Sequence, residues 1–143
     1  MATDDEVRGA SDKFYAALNS MANGDASPMG DIMSHSANAT TMHPLGGREV
    51  GWDEVSVPWA QVAQMASGGQ VKLTDQLIQA TPDMAYETGV EKGQMALAGR
   101  QVPINQRVTN VYRREGGAWK IVHHHTDASP AMMDLLKSLQ AGQ

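Results

Sequence analysis

The sequence predicts an α+β domain, one antiparallel β-meander with helices gathered at its N-terminal end. Two patterns carry this: apolar residues spaced three and four apart before residue 66, and alternating apolar and polar stretches after residue 70. Length is the third observation, since 143 residues supply one hydrophobic core, whereas two would each fall near the lower limit of stability. A single domain over 1–143 follows, with its core at about 6–130 and a C-terminal helix at about 130–141.

Thr3-Asp4-Asp5-Glu6 has the capping-box pattern, in which a hydroxyl and a carboxylate each satisfy an amide orphaned at a helix start. Behind it Val7, Ala10, Phe14, Ala17, Leu18 and Met21 draw one apolar stripe as far as Asn23-Gly24. Ser27-Pro28 reads as N-cap and first residue of a short second helix ending near His35. Ala39 to His43, rich in Thr and followed by Pro44-Leu45-Gly46-Gly47, is a strand running into a tight turn. A third helix starts at about Trp52, sets Val55, Trp59, Val62 and Ala66 on one face and ends at Gly68-Gly69. Pro58 removes a backbone donor and crowds the turn before it, so this helix is either kinked there or starts later. Four strands follow, Val71 to Ala80, Met84 to Leu97, Val102 to Arg114 and Ala118 to Thr126, separated by Thr81-Pro82-Asp83, Ala98-Gly99 and Glu115-Gly116-Gly117. Short links between long strands make this an antiparallel meander. Ser129-Pro130 caps a last helix whose stripe is Met132, Leu135, Leu136 and Leu139.

Composition removes several function classes. Eleven Lys and Arg against sixteen Asp and Glu leave a net charge of -5, which repels a phosphate backbone or an anionic lipid surface. No nucleic-acid or membrane partner is expected. The chain has no cysteine, which excludes a disulfide framework, a thiolate zinc site and a cysteine nucleophile. It opens with acidic residues, and no stretch approaches the roughly 20 apolar residues of a spanning helix, so a cytoplasmic protein is expected. No Gly-x-Ser-x-Gly elbow is present, and Gly46-Gly47 and Gly68-Gly69 do not continue into phosphate loops.

The order of elements, with Gly46-Gly47-Arg48-Glu49-Val50-Gly51 before the third helix and Gly117-Ala118-Trp119-Lys120-Ile121-Val122-His123-His124-His125 in the last strand, resembles the nuclear transport factor 2-like superfamily. Within it, the SnoaL-like and ketosteroid-isomerase-like group is the most similar, over roughly Glu6 to Pro130. The resemblance implies a cystatin-like fold, a cone-shaped curved sheet closed by the N-terminal helices around a pocket. It also implies a homodimer through the outer face of the sheet, to which the pattern assigns no covering helix. Because this superfamily holds isomerases, dehydratases, cyclases, hydrolases, non-catalytic subunits and oligomerising hubs, it implies the fold more narrowly than the activity.

Imidazole exchanges a proton near neutral pH, and three of the five histidines are consecutive. On a regular strand His123 and His125 share a face, and His124 points the other way with Lys120 and Val122. Pairing Arg113 with Trp119 places Thr109 opposite His123 and Arg107 opposite His125, whereas a turn one residue shorter places Asn110 and Val108 there. Similarity of this hairpin to the kinase association domains of the superfamily, in which the matching odd positions look into the pocket, favours the first register. His123 and His125 are then candidate catalytic residues; hydrogen bonding within the sheet or burial in a dimer interface is the alternative.

His43 directly precedes Pro44, as the proton-moving carboxylate of ketosteroid isomerases precedes a proline, and the resemblance makes it a candidate base. Capping of the strand end is the plainer role. The resemblance also puts Ala17 where those isomerases carry the oxyanion-donating tyrosine, with Tyr15 two residues away and pointing elsewhere on the helix. Glu91 shares a strand face with Ala85, Glu87 and Gly89; turned inward, it is able to pair with Arg107 and orient a substrate. The opposite face, Met84, Tyr86 and Val90, suits a core equally well. Trp52 and Trp59, with ten methionines, either line an apolar cavity or fill the core, and Trp119 is read as core. His35 reads as a surface or capping residue. Three imidazoles, His43, His123 and His125, suffice for zinc, but nothing in their spacing demands it, so no metal and no cofactor are expected.

Two functions emerge. One is a SnoaL-like small-molecule enzyme, a cofactor-independent isomerase, cyclase or dehydratase acting on an apolar carbonyl or hydroxyl compound. In it His43 moves the proton, His123 or His125 donates to oxygen, and Glu91, Arg107, Thr109, Trp52 and Trp59 bind the substrate. The other is a non-catalytic ligand-binding or oligomerisation module.

Overall fold

The computed structural model describes residues 3–141. The first helix, α1 (Thr3–Met21), buries every residue of the predicted stripe. Phe14 is fully buried there, which is worth about 1.5–3 kcal/mol relative to leaving the ring in water. Glu6, read above as half of a capping box, lies 3.2 Å from Arg114 and ties α1 to the far end of the sheet. After the single turn α2 (Met29–Ile32) come β1 (Thr40–Met42), β2 (Glu49–Val50) and α3 (Trp52–Met65). The chain then forms β3 (Ala66–Ala80), β4 (Met84–Leu97), β5 (Arg100–Glu115) and β6 (Ala118–Thr126), and ends in α4 (Pro130–Ala141).

The six strands form one unclosed sheet in the order β2-β1-β6-β5-β4-β3. The antiparallel meander of β3 to β6 is as expected, and β1 adds to its edge parallel to β6, with Thr40 opposite His123. Bulges at Ser67/Gln70 and Thr74/Leu77 bend β3, and Asp75 takes the left-handed φ of 55° there. This curvature wraps the sheet around α1.

Two boundaries differ from the sequence pattern for identifiable reasons. α3 runs unbroken through Pro58 and ends at Met65, so Gly68-Gly69 lies inside β3 rather than at a helix end. Gly69 is needed there because β3 crosses the end of α1: a Cβ would come within 2.5 Å of the Ala22 side chain, and Gly69 N–H donates to the Ala22 carbonyl at 3.2 Å. In the β5–β6 hairpin Arg114, not Arg113, faces Trp119, and the turn is Gly116-Gly117 with φ of 56° and 83°. Two successive positive φ values close a tight two-residue hairpin loop, which glycine adopts without penalty.

Farther along this hairpin a third bulge sets the faces. Tyr112 pairs with Ile121 but Val111 pairs with His123, so Val122 has no partner of its own and the inward phase moves by one residue. Trp119 and Ile121 are buried before the bulge, His124 and Thr126 after it. Among the described residues no helix is long and apolar enough to cross a membrane.

Candidate functional site

Even-numbered residues of β5, from Val102 through Ile104, Gln106, Val108 and Asn110 to Tyr112, are all buried, as are Ala85, Glu87, Glu91 and Met95 of β4. Strand pleating puts these side chains on the concave face beneath α1 and α3. Most of that face is hydrocarbon, so its acids, amides and phenols must satisfy one another. Tyr15 Oη donates to Glu91 Oε2 at 2.8 Å, and Gln106 Nε2 donates to Glu91 Oε1 at 2.8 Å. Glu87 accepts from Gln76 Nε2 at 2.6 Å, Tyr112 Oη at 2.8 Å and Asn110 Nδ2 at 3.0 Å. Asn110 Oδ1 lies 2.6 Å from His124 Nδ1.

A cavity of about 50 Å³ opens beside this network. Its apolar wall includes Leu18 and Met21 of α1, Val62 of α3, Met95 and Ile104 of the sheet and Met132 of α4. His43, Trp59, Glu91, Gln106 and His124 supply its polar groups. The indole Nε1 of Trp59 and both ring nitrogens of His43 are buried without a hydrogen-bond partner. His43 Nε2 does lie 3.0 Å from Glu49 Oε1, but without the alignment of a hydrogen bond. Glu49 spends its better-aligned bond on Thr41 Oγ1, at 2.6 Å. The hollow thus sets orphaned polar atoms beside an apolar wall, groups that a bound oxygen would satisfy.

Burial pushes Glu91 up to about 7, with the Glu87 carboxylate adding to the rise and the bonds from Gln106 and Tyr15 opposing it. Burial and then Glu91 raise the Tyr15 phenol, which therefore stays protonated and a donor. Burial, followed by the nearby His43, His123 and His125, lowers His124 to about 3, so its ring is neutral. The site thus offers one carboxyl that changes protonation near neutral pH, a phenol donor on it, and a neutral imidazole.

Of the residues singled out in the sequence, His43, Trp59 and Glu91 line the cavity. The others do not reach it. Alternation gives His123 and His125 one shared face, and the likeness to the association domains points that face inward; the Val122 bulge turns them to the outer face instead, where His123 Nε2 lies 3.4 Å from His125 Nδ1 and Thr40 Oγ1 lies 2.7 Å from His123 Nδ1. Burial and the neighbouring His125 lower the His123 pKa. Thr109 pairs with His125 on that face. Arg107 also points outward and forms a two-pronged pair with Asp127, both bonds 2.9 Å, so it cannot be the partner of Glu91. Trp52 stacks on His35 at 4.2 Å, away from the cavity. Tyr15, placed elsewhere on its helix by the sequence reading, in fact reaches Glu91. Among the described residues no three His, Asp or Glu side chains converge as a metal cage.

His124, Tyr15, Asn110 and Gln106 went unrecognised. The run of apolar residues at even positions of β5 was the available signal for Gln106 and Asn110. For His124 no signal existed, since the bulge depends on pairing.

A family model for the SnoaL-like domain matches residues 7–133. A candidate dehydratase of the NTF2-like family from Streptomyces avermitilis is 26% identical, covers 90% of this chain and 96% of its own, and superposes with a TM-score of 0.77. A candidate calcium/calmodulin-dependent protein kinase type II association domain from Thiobacillus denitrificans is 27% identical over 85% of this chain and 93% of its own, with a TM-score of 0.65. A candidate ketosteroid isomerase from Shewanella frigidimarina, 21% identical over 83% of this chain and 92% of its own at a TM-score of 0.66, shares the fold. Comparison with curated proteins finds no match.

Proposed function

We propose, on the premise that the chain belongs to the SnoaL-like domain family, that it binds an apolar small molecule carrying carbonyl and hydroxyl oxygen in this cavity and moves a proton on it without a cofactor. One observation carries this reading: Glu91, buried in the cavity wall and raised to about 7, has each oxygen fixed by a donor. A carboxyl poised near working pH and held in one orientation meets the two demands of general acid–base catalysis.

In this reading Glu91 takes the part that the sequence suggests for His43. Its carboxylate accepts the proton of a carbon next to the substrate carbonyl; the C–H electron pair becomes a C=C bond, and the carbonyl π pair moves onto oxygen. Trp59 Nε1–H and a His43 N–H, unpartnered in the protein, are the donors available to that oxygen. Glu91 then returns the proton to the same carbon or its conjugated neighbour, or a hydroxyl one carbon away leaves as water with that proton. The likeness to the candidate dehydratase, at 26% identity, supports such an enzyme. The likeness to the association domain, at 27%, favours the second reading, a binding module without turnover.

A cytoplasmic setting belongs to the same reading, and a chain without cysteine is compatible with a reducing compartment. So does a homodimer through the outer sheet face, supported by Leu77, Met84 and Tyr86, which are exposed on it.

The probe for the chemistry is 3-hydroxycyclohexanone in heavy water, with deuterium entry at C2 followed by proton NMR. The wild-type protein should speed that entry over buffer, and Glu91→Gln, which still accepts from Tyr15, should slow it by about 100-fold while the fold is retained. Binding of the probe with no gain in exchange would leave the binding module standing instead.

A further inference from the structure

Asn110 lies between two groups that fix which way its amide faces. Glu87 Oε1, 3.0 Å from Asn110 Nδ2, already accepts from Tyr112 Oη at 2.8 Å. Tyr15 Oη, 3.3 Å from the same Nδ2, has given its only hydrogen to Glu91 at 2.8 Å and has lone pairs left to offer. Two acceptors on one side hold the NH₂ there, which leaves Oδ1 on the other side, 2.6 Å from His124 Nδ1. An amide oxygen only accepts, so the hydrogen of that bond belongs to His124 Nδ1.

His124 is neutral on geometric grounds. Its ring is buried, packed against Phe14 at 5.0 Å and Trp59 at 5.6 Å, and its one hydrogen-bond partner is an uncharged amide. The titratable groups around it are His43 at the strand end and His123 and His125 on its own strand, all of which oppose a second proton. A neutral imidazole has one N–H. With that hydrogen on Nδ1, Nε2 carries a bare lone pair, the ring makes no other hydrogen bond among the described residues, and it lines the cavity.

We infer that Asn110 is a positioning residue that locks His124 in its Nδ1–H form, so that the cavity presents a hydrogen-bond acceptor there and the ligand oxygen seated against it is a hydroxyl. This rests on the pocket reading above and deepens it by dividing the ligand's two oxygens. The carbonyl belongs with the donors Trp59 and His43, and the hydroxyl with His124. A carbonyl or ether oxygen against Nε2 would set two lone pairs face to face, whereas a hydroxyl spends its hydrogen on the nitrogen. The chain of bonds is directed, from His124 through Asn110 and Tyr15 to Glu91, so the acceptor and the proton-moving carboxyl are held by one network.

Two measurements test this. Long-range proton–nitrogen spectra of the ¹⁵N-labelled protein at pH 7 should show His124 protonated on Nδ1. In Asn110→Leu the ring should lose that fixed signature; an Nε2–H form in the wild-type protein overturns the inference whether or not the variant folds. Calorimetry with a size-matched pair then reads the ligand class. 3-Hydroxycyclohexanone should bind the wild type about tenfold tighter than 3-methylcyclohexanone, and the preference should vanish in His124→Phe. Equal binding of both probes overturns the hydroxyl assignment while leaving the pocket intact. Failure of both to bind counts against the pocket reading, and the spectra still decide the role of Asn110.

Discussion

Glu91 and His124 answer to pH in opposite senses, and both effects are measurable as stability. Burial raises the Glu91 carboxyl from 4.5 to about 7. The folded chain keeps a proton that the unfolded chain releases, so the stability contributed by Glu91 is full below pH 4.5 and is lost as the pH rises through about 7. His124 is lowered from 6.5 to about 3, chiefly by burial. Here the unfolded chain takes up a proton that the folded one refuses, so its contribution is present above pH 6.5 and is lost as the pH falls towards 3. Urea unfolding of Glu91→Gln should therefore show the variant gaining on the wild type between pH 5 and pH 8. A difference that stays constant across that range would mean that Glu91 titrates like an exposed acid. For His124→Gln, which keeps a donor for Asn110, the gain should appear on the acid side, between pH 6.5 and pH 4, and a parallel pair of curves would refute the lowered imidazole.

At the scale of elements, bulges decide what strand alternation cannot. The stripe of α1, the four strands of the meander and the Ser129 cap, whose Oγ accepts from Met132 N–H at 3.2 Å, were legible because each depends on neighbours within a turn or two. His124 was not legible, because the skipped residue Val122 arises where β6 must match β5 on one side and β1 on the other. Tyr15 was missed for a related reason. A helix covered along one flank buries one stripe, but β3 and β4 also cover the flank that carries Ser11 and Tyr15, both buried. The β3 bulge offers a direct test of such pairing. Gly93 faces Val71 beside the irregular stretch, and a Cβ on it would overlap the Gln70 carbonyl oxygen, a backbone atom with no side-chain freedom to yield. Gly93→Ala should cost about 2 kcal/mol or more, seen as a lower urea midpoint at unchanged slope. An unchanged midpoint would show that the strand pair opens without strain.

For the whole molecule the unresolved balance is between the two faces of one sheet. The concave face is covered by α1 and α3 and filled by Phe14, Tyr112 and Ile121, whereas the outer face of the four long strands carries no helix among the described residues. On it Tyr86 pairs with Val111 and Gln79, Leu77 with Thr88, and Met84 with Arg113. Leu77 at 48%, Met84 at 41% and Tyr86 at 46% exposure leave a large apolar area in water, rimmed by Arg107, Arg113 and Asp127. An apolar centre with a charged rim is the composition of a protein–protein interface, and a second copy of the same sheet would bury like against like under twofold symmetry. The outward turn of His123, His125 and Thr109 fits this, because the bulge places them beside that surface rather than in the cavity. Sedimentation at micromolar concentration should therefore give a dimer, and the double substitution Leu77→Asp with Tyr86→Asp should give a folded monomer, since each carboxylate would be stranded in the contact at a cost of several kcal/mol. The cavity lies on the other side of the sheet, so probe binding should survive in that monomer. A monomeric wild type would sink the interface, and a dimer indifferent to both aspartates would move it to another surface.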